Sequence, residues 1–330
     1  MTYSAGNIIV ATDYNGFVST TANANINATW ATATSGAGYG QTAIAQVAVG
    51  GTVTATQWSD LVTTLSKLGS HTGTTITSRT APVAGNIISV LANVNTDVTN
   101  CYTNRNNAAS SGATYQTWTG NSAKTSATGS GGSAWTITFT HTVTWANNAA
   151  CFAFFNSGGI IKWETSKTAD VTEGDTEWNN LATTVVGDIY LTGAAASKTI
   201  NGTAYTGTTK VGGSGTPTTL ATGTGFFNLT TTATTIYKQF SSLAPYTGQY
   251  IQINASVNSN TAPTVLTFST TWVDPGSASP GGDNISGGTD TASPFTAFGT
   301  APATVVRYIN PETTYLTNVW GTPTIAASVV

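Results

Sequence analysis

The most constraining stretch is Trp135 to Trp145, WTITFTHTVTW, in which every second residue is threonine. Trp135, Ile137, Phe139, His141, Val143 and Trp145 share one parity, and Thr136, Thr138, Thr140, Thr142 and Thr144 the other. Strand side chains alternate faces with a period of two, so this run predicts a strand with one apolar and one hydroxyl face. Thr and Trp both suit a pleated surface, so propensity agrees with pattern. The next apolar run, Ala149 to Phe155, predicts a buried strand. Asn156-Ser157-Gly158-Gly159 follows as a turn that tolerates positive φ, and Ile160 to Glu164 returns, completing an expected β-hairpin.

Further strand patterns lie at Gly187–Thr192, Gly225–Leu229, Thr234–Phe240, Gln249–Val257, Thr264–Val273 and Ala303–Ile309, separated by Gly, Pro and Asn. Together they predict an antiparallel β-sandwich or jelly-roll-like domain over 114–330. Thr165 to Leu181 predicts a short helix ending near Leu181.

Before residue 114 the periodicity changes. Residues 1 to about 50 read as loops and short elements, with a candidate strand in Ala37–Val49. Thr54 to Gly69 predicts a helix: Thr54 and Gln57 fit a capping box, Trp58, Leu61, Val62, Leu65 and Leu68 form a stripe, and Gly69 is placed to stop it. A second helix is predicted over about 82–105, striped by Ile87, Val90, Leu91, Val94, Val98, Cys101, Tyr102 and Arg105. The expected fold class is therefore mainly β. An N-terminal region (1–113) holding a helical hairpin precedes the β domain, with a boundary in the Gly/Ser/Thr-rich 106–133.

Only 7 % of the 330 residues are charged and the net charge is −3, against roughly 25 % charged in ordinary soluble chains. No basic footprint for nucleic acid is present. No stretch reaches the ~20 apolar residues of a membrane span. The opening MTYSAGNIIVATDYNG lacks the basic and apolar regions of a secretory leader. A surface kept soluble by hydroxyls and amides suits close packing with copies of itself. Cys101 and Cys151 either pair or stay as buried thiols.

Chemistry-bearing patterns are sparse. His71 lies after the first predicted helix and His141 on the apolar parity of its strand, where a core role is expected. Asp170, Glu173, Asp175 and Glu177 cluster in sequence, the one hint of a carboxylate pair for glycoside hydrolysis, although spatial separation decides that reading. Asp274, Asp283 and Asp290 are weak calcium candidates, with no calcium-loop spacing. No nucleophile elbow, phosphate loop or zinc pattern occurs, so no enzyme activity and no cofactor are expected.

Several words carry a resemblance. CFAFFNSGGIIKW is similar to an RYFFNSGG-(E/K)-I-R-like element of structural proteins from marine tailed phages, especially T4-like cyanophages. Ala153 and Lys162 depart from it where the family often has aromatic or arginine residues. GYGQTAIAQVAVGGTVTATQWSDLVTTLSKLGSHTG, over Tyr39 to Gly73, resembles a second element of that group. QYIQINASV and FSTTWVDPG…GGDNISGGTD resemble its closing strands and acidic loop. The resemblance implies a virion protein of the tail, baseplate or fibre, without enzymatic role, attached through its N-terminal part. Expected partners are copies of itself in a symmetric oligomer such as a trimer, and other virion proteins.

Two alternatives accompany it: a capsid decoration or head-fibre protein, and a glycan-binding β-sandwich for host attachment. Trp58, Leu61, Leu65, Val90 and Val94 are the candidate assembly residues. Trp118, Trp163, Trp178 and Trp320 are the candidate rings for stacking on sugars.

Overall fold

The computed structural model describes residues 11–19, 25–84, 93–108, 122–123, 135–167, 173–200, 203–244, 246–275 and 303–330. The fold is mixed α and β, and every pairing between described strands is antiparallel.

The N-terminal part contains α1 (Ala11–Val18), α2 (Ile26–Trp30), α3 (Ala55–Thr72) and α4 (Val94–Thr103). α3 starts where its capping box predicts: the Thr54 hydroxyl accepts from the Gln57 N–H at 3.3 Å, and the Gln57 amide oxygen accepts from the Thr54 N–H at 2.8 Å. Thr54→Ala should cost about 1 kcal/mol, the usual worth of a cap, measured as a shift in urea midpoint. The helix does not stop at Gly69. It ends at Gly73, whose φ of 64° supplies the left-handed cap. Gly69 lies inside α3 because Ile76, on the returning chain, packs against it and would stand 3.1 Å from an added Cβ.

The second predicted helix is shorter than expected. Residues 82–84 are not helical, α4 begins at Val94, and Val90 lies outside the described residues. Buried Asp97 accepts the Thr77 N–H at 3.0 Å and pairs with Arg79 at 2.6 Å, drawing the preceding segment across α4. No strand forms in 38–49, which runs as irregular chain.

After β1 (Ser122–Ala123), β2 (Trp135–Thr144) has the predicted faces: Ile137, Phe139, His141 and Val143 are buried between partly exposed threonines. The predicted hairpin does not form. The apolar run is α5 (Asn148–Asn156), capped by the Asn147 side-chain Oδ1, which accepts the Ala150 N–H at 2.9 Å. A short run apolar on all sides fits a buried helix as well as a buried strand, and the Asn cap with two alanines decides it. α5 therefore carries the chain from one sheet to the other, where β3 (Ile160–Ser166) begins.

The chain continues through α6 (Glu173–Asn180), ending as predicted near Leu181 in a π-turn, and β4 (Asp188–Leu191). β5 (Lys198–Ile200), β6 (Thr203–Tyr205), β7 (Thr208–Val211) and β8 (Thr219–Leu220) are short strands that the periodicity did not mark. Phe226–Asn228 is a 3₁₀ turn where a strand was predicted. β9 (Thr234–Phe240), β10 (Tyr250–Val257), β11 (Val265–Asp274) and β12 (Ala303–Ile309) match their patterns, and β13 (Thr324–Val329) completes the set.

Two larger sheets result, ordered β1-β12-β3-β4-β7 and β13-β2-β11-β10-β9-β8, with β5-β6 a separate pair. They meet at Trp163 of β3, whose indole N–H donates to the Thr270 hydroxyl of β11 at 2.9 Å. Trp178 of α6 stacks on Trp272 of β11 with ring centres 5.4 Å apart. Beside them Trp145, Phe154, Phe155 and Phe226 form an aromatic group, with Phe155 and Phe226 stacked at 4.1 Å.

One hydrophobic cluster runs from Tyr14 and Trp58 in the helices through Phe154 to Trp272 and Trp320. The predicted boundary at 113/114 lies outside the described residues, and the described parts on either side share this core.

Candidate functional site: a buried polar junction

The densest polar arrangement lies where α5 hands over to β3, at Asn156-Ser157-Gly158-Gly159. The Asn156 amide nitrogen lies 2.8 Å from the Thr34 carbonyl, 2.9 Å from that of Ala37 and 2.8 Å from that of Gly38. His71, near the C-terminus of α3, meets the Ser157 carbonyl through Nε2 at 3.1 Å. A carbonyl only accepts, so the proton sits on Nε2. Lys198, at the start of β5, donates to the Gly158 carbonyl at 3.3 Å.

Tyr39 closes the group. Its ring stands edge-on to His71 with centres 5.1 Å apart, and its hydroxyl donates to the Arg105 carbonyl at 2.8 Å. Two residues on, Gln41 holds Thr317 through both amide atoms, donating to its carbonyl at 2.9 Å and accepting its N–H at 2.8 Å.

Glycine is required at two points. Gly38 has φ 81°, and an added Cβ would lie 1.0 Å from the Thr32 carbonyl oxygen. Gly158 has φ 102°, and an added Cβ would lie 2.4 Å from the Ala108 carbonyl oxygen. Both are close backbone approaches in conformations that side chains disfavour.

Burial dominates the electrostatics. It pushes His71 down to about 4, against the opposing effects of the Ser157 bond and the Glu312 charge. It pushes Lys198 down to about 8 and the Cys101 thiol up to about 11. His141 is likewise pushed down to about 4, with a bond to the Thr304 backbone opposing.

Both histidines thus take protons more readily in the unfolded chain. The histidine contribution to stability should be level above pH 6.5 and fall as the pH drops from there towards 4, by about 3 kcal/mol for each site at a shift of this size. Glu177, raised by burial, works in the opposite sense. The check is the urea midpoint at stepped pH, where His71→Gln should flatten the slope.

Chemically, the junction fixes backbone. His71 is engaged by a carbonyl rather than by the Ser157 hydroxyl, and both residues are buried. Cys101 and Cys151 are buried free thiols.

The other predicted positions separate. Trp58, Leu61, Leu65 and Val94 are buried in the chain's own core, so they present no surface for assembly. Trp163, Trp178 and Trp320 are at most 2 % exposed, so none offers a ring face to a sugar, and Trp118 lies outside the described residues. Asp274 is buried and accepts from the Gln249 amide at 2.8 Å, while Asp283 and Asp290 lie outside the described residues.

In the acid cluster, Glu177 is buried and accepts from the Ser241 hydroxyl and the Asn180 amide. Glu173 and Asp175 are on α6, and Asp170 lies outside the described residues. Among the described residues no three His, Cys, Asp or Glu gather at one point, and no helix is long and apolar enough to cross a membrane.

The sequence did not reveal a second polar group, on the outer face of the β12-β3-β4 sheet. Arg307 pairs with Glu164 at 2.8 Å, Glu164 with Lys162 at 2.5 Å, and Lys162 with Asp188 at 2.8 Å. Burial disfavours the Lys162 charge, but its bonds to Asp188 and Glu164 outweigh this and hold its pKa above the ordinary lysine value. The formal charges of the four cancel, leaving a network that ties β12, β3 and β4 together with no net charge.

The chain matches no protein family, none of the curated proteins and no solved structure with which it was compared.

Proposed function

We propose that the chain is a non-enzymatic structural protein of a tailed-phage virion, assembled as a tail, baseplate or fibre component. One observation carries this reading: two of the words that bear the resemblance meet physically at one place. Gly38, Tyr39 and His71 belong to the GYGQ…SHTG word, Asn156 and Ser157 to CFAFFNSGGIIKW, and the two touch through the His71–Ser157 bond and the Asn156–Gly38 bond, with the Tyr39 ring against His71. Words from distant parts of a chain that close on one junction behave as the signature of a single fold. In this reading the two larger sheets form a sandwich joined through Trp163 and Thr270, and the helices dock onto it.

A surface of uncharged hydroxyls and amides supports the same reading, because copies and neighbours pack on it without like-charge repulsion. Attachment then uses surfaces other than the buried helix stripe. Capsid decoration is the alternative position on the particle.

The test is sedimentation of the purified full-length chain with particles that lack it. The expected result is saturable binding to tails or baseplates, and a chain that stays in the supernatant contradicts the proposal.

A further inference from the structure

The hairpin β5–β6 stands apart from the sheet framework. Its strands pair with each other, and among the described residues no backbone hydrogen bond ties either one to a larger sheet. A two-stranded hairpin is at best marginally stable by itself. Its base is fixed. The Thr192 N–H donates to the Gly207 carbonyl at 2.9 Å, and the Gly207 N–H to the Ala194 carbonyl at 3.2 Å. The Thr192 hydroxyl donates to the same Ala194 carbonyl at 3.0 Å. Ala195, Ala196 and Ser197 then run exposed from this knot to β5.

Beyond the base, two inward side chains hold the hairpin down. Tyr205 stands edge-on to Tyr190 of β4 with ring centres 5.1 Å apart. With Ile160 and Ile309 they form a small apolar cluster separate from the main core. Lys198, 6 % exposed, donates to the Gly158 carbonyl at 3.3 Å. An ammonium carries three donors, yet among the described residues Lys198 makes no further bond and no ion pair. A buried charge without a counter-charge works against the closed state.

We propose that β5–β6 is a strap that opens as a unit about its Thr192–Gly207 base, with the buried Lys198 ammonium as its release. Closed, it covers Ile160, Tyr190 and Ile309 on the outer face of the five-stranded sheet. Open, it bares them and returns Lys198 to water. Local opening of this kind is drawn from the least anchored units of a fold.

Burial lowers Lys198 from 10.5 to about 8, so between those values the open state holds the proton and the closed state does not. Below pH 8 the closed state carries the full cost of the charge. Rising pH therefore closes the strap, and a step from pH 7 to 9 should cut the open fraction about tenfold. The surrounding groups keep their charge over that step. His71 is lowered to about 4, and Glu312, whose charge acts on it, is lowered too. Tyr205, across the hairpin and within the field of Lys162 and Asp188, is raised. Arg105, on the 3₁₀ turn Arg105–Asn107 beside β5, is turned to the Gly36 and Tyr102 carbonyls.

The experiment is hydrogen–deuterium exchange of the full-length chain at pH 7 and 9, corrected for the chemical exchange rate, on wild type and Lys198→Met. The expected result is that the amides of Lys198–Ile200 and Thr203–Tyr205 exchange together, ahead of β3 and β4, and slow about tenfold at pH 9. Lys198→Met, of similar reach without charge, should slow them at pH 7 and abolish the pH step. Wild-type protection equal to that of β3 and β4, or a wild type with no pH step, overturns the proposal. Faster exchange in Lys198→Met also overturns it, because the lysine would then be a fastener rather than a release.

Discussion

Gly158→Ala should destabilise the protein by at least about 3 kcal/mol and sharply lower its soluble yield. Two costs add. The residue holds φ 102°, a conformation that suits glycine, and its new Cβ would meet the Ala108 carbonyl oxygen at 2.4 Å. The neighbour is backbone, so no side chain can swing aside. Relief requires Ala108, which ends a 3₁₀ turn at Arg105–Asn107 just after α4, to retreat from the α5–β3 handover, which also disturbs the Lys198 and His71 bonds to the same tetrapeptide. Gly212→Ala is the control. Its φ of 69° is also positive, but an added Cβ meets nothing within 4 Å, so it should lose only about 1 kcal/mol. Urea midpoints of the two variants separate close approach from backbone strain.

Asn156→Asp should cost about 3 to 5 kcal/mol at neutral pH, although it barely changes volume. The wild-type amide nitrogen faces three carbonyl oxygens within 2.9 Å. A carboxylate there would bring negative charge to three acceptors, in a site where the side chain is 4 % exposed, and would offer no hydrogen to any of them. Asn156→Ala should lose less, about 2 kcal/mol, because it leaves the carbonyls unbonded without adding charge. The sign with pH identifies the cause. Burial raises the pKa of an introduced carboxyl, so the gap between Asn156→Asp and Asn156→Ala should narrow as the pH falls. A constant gap between pH 7 and 5 would mean that the loss is steric.

Much of the strand framework was legible because it alternates. In β2, β10 and β11, burial alternates residue by residue, although in β11 the buried parity also holds Thr270 and Asp274. The α3 start was legible from Thr54 and Gln57, since a cap is local chemistry. α5 was not, because Ala149 to Phe155 is apolar on every side and contains no period to read. The short strands β5 to β8 escaped for a related reason: two to four residues hold too few alternations.

The junction was half visible. The words around Tyr39, His71 and Asn156 stood out by resemblance. That they touch is set by contacts across as many as 122 residues, such as Asn156 to Thr34, which no local pattern encodes. The tryptophans mislead in the opposite direction. A large ring is equally at home stacking on a sugar or filling a core, and for Trp163 and Trp178 the choice is set by Thr270 and Trp272 on a strand far along the chain.

The most direct measurement is cryo-EM of particles purified from the lysate in which this chain is made, with mass spectrometry of the same fraction. The account predicts the chain in regular copies on a tail, baseplate or fibre, with the β2–α5–β3 path and the Asn156 junction visible in each copy. A chain found only in the soluble fraction, with no particle carrying it, would contradict the account.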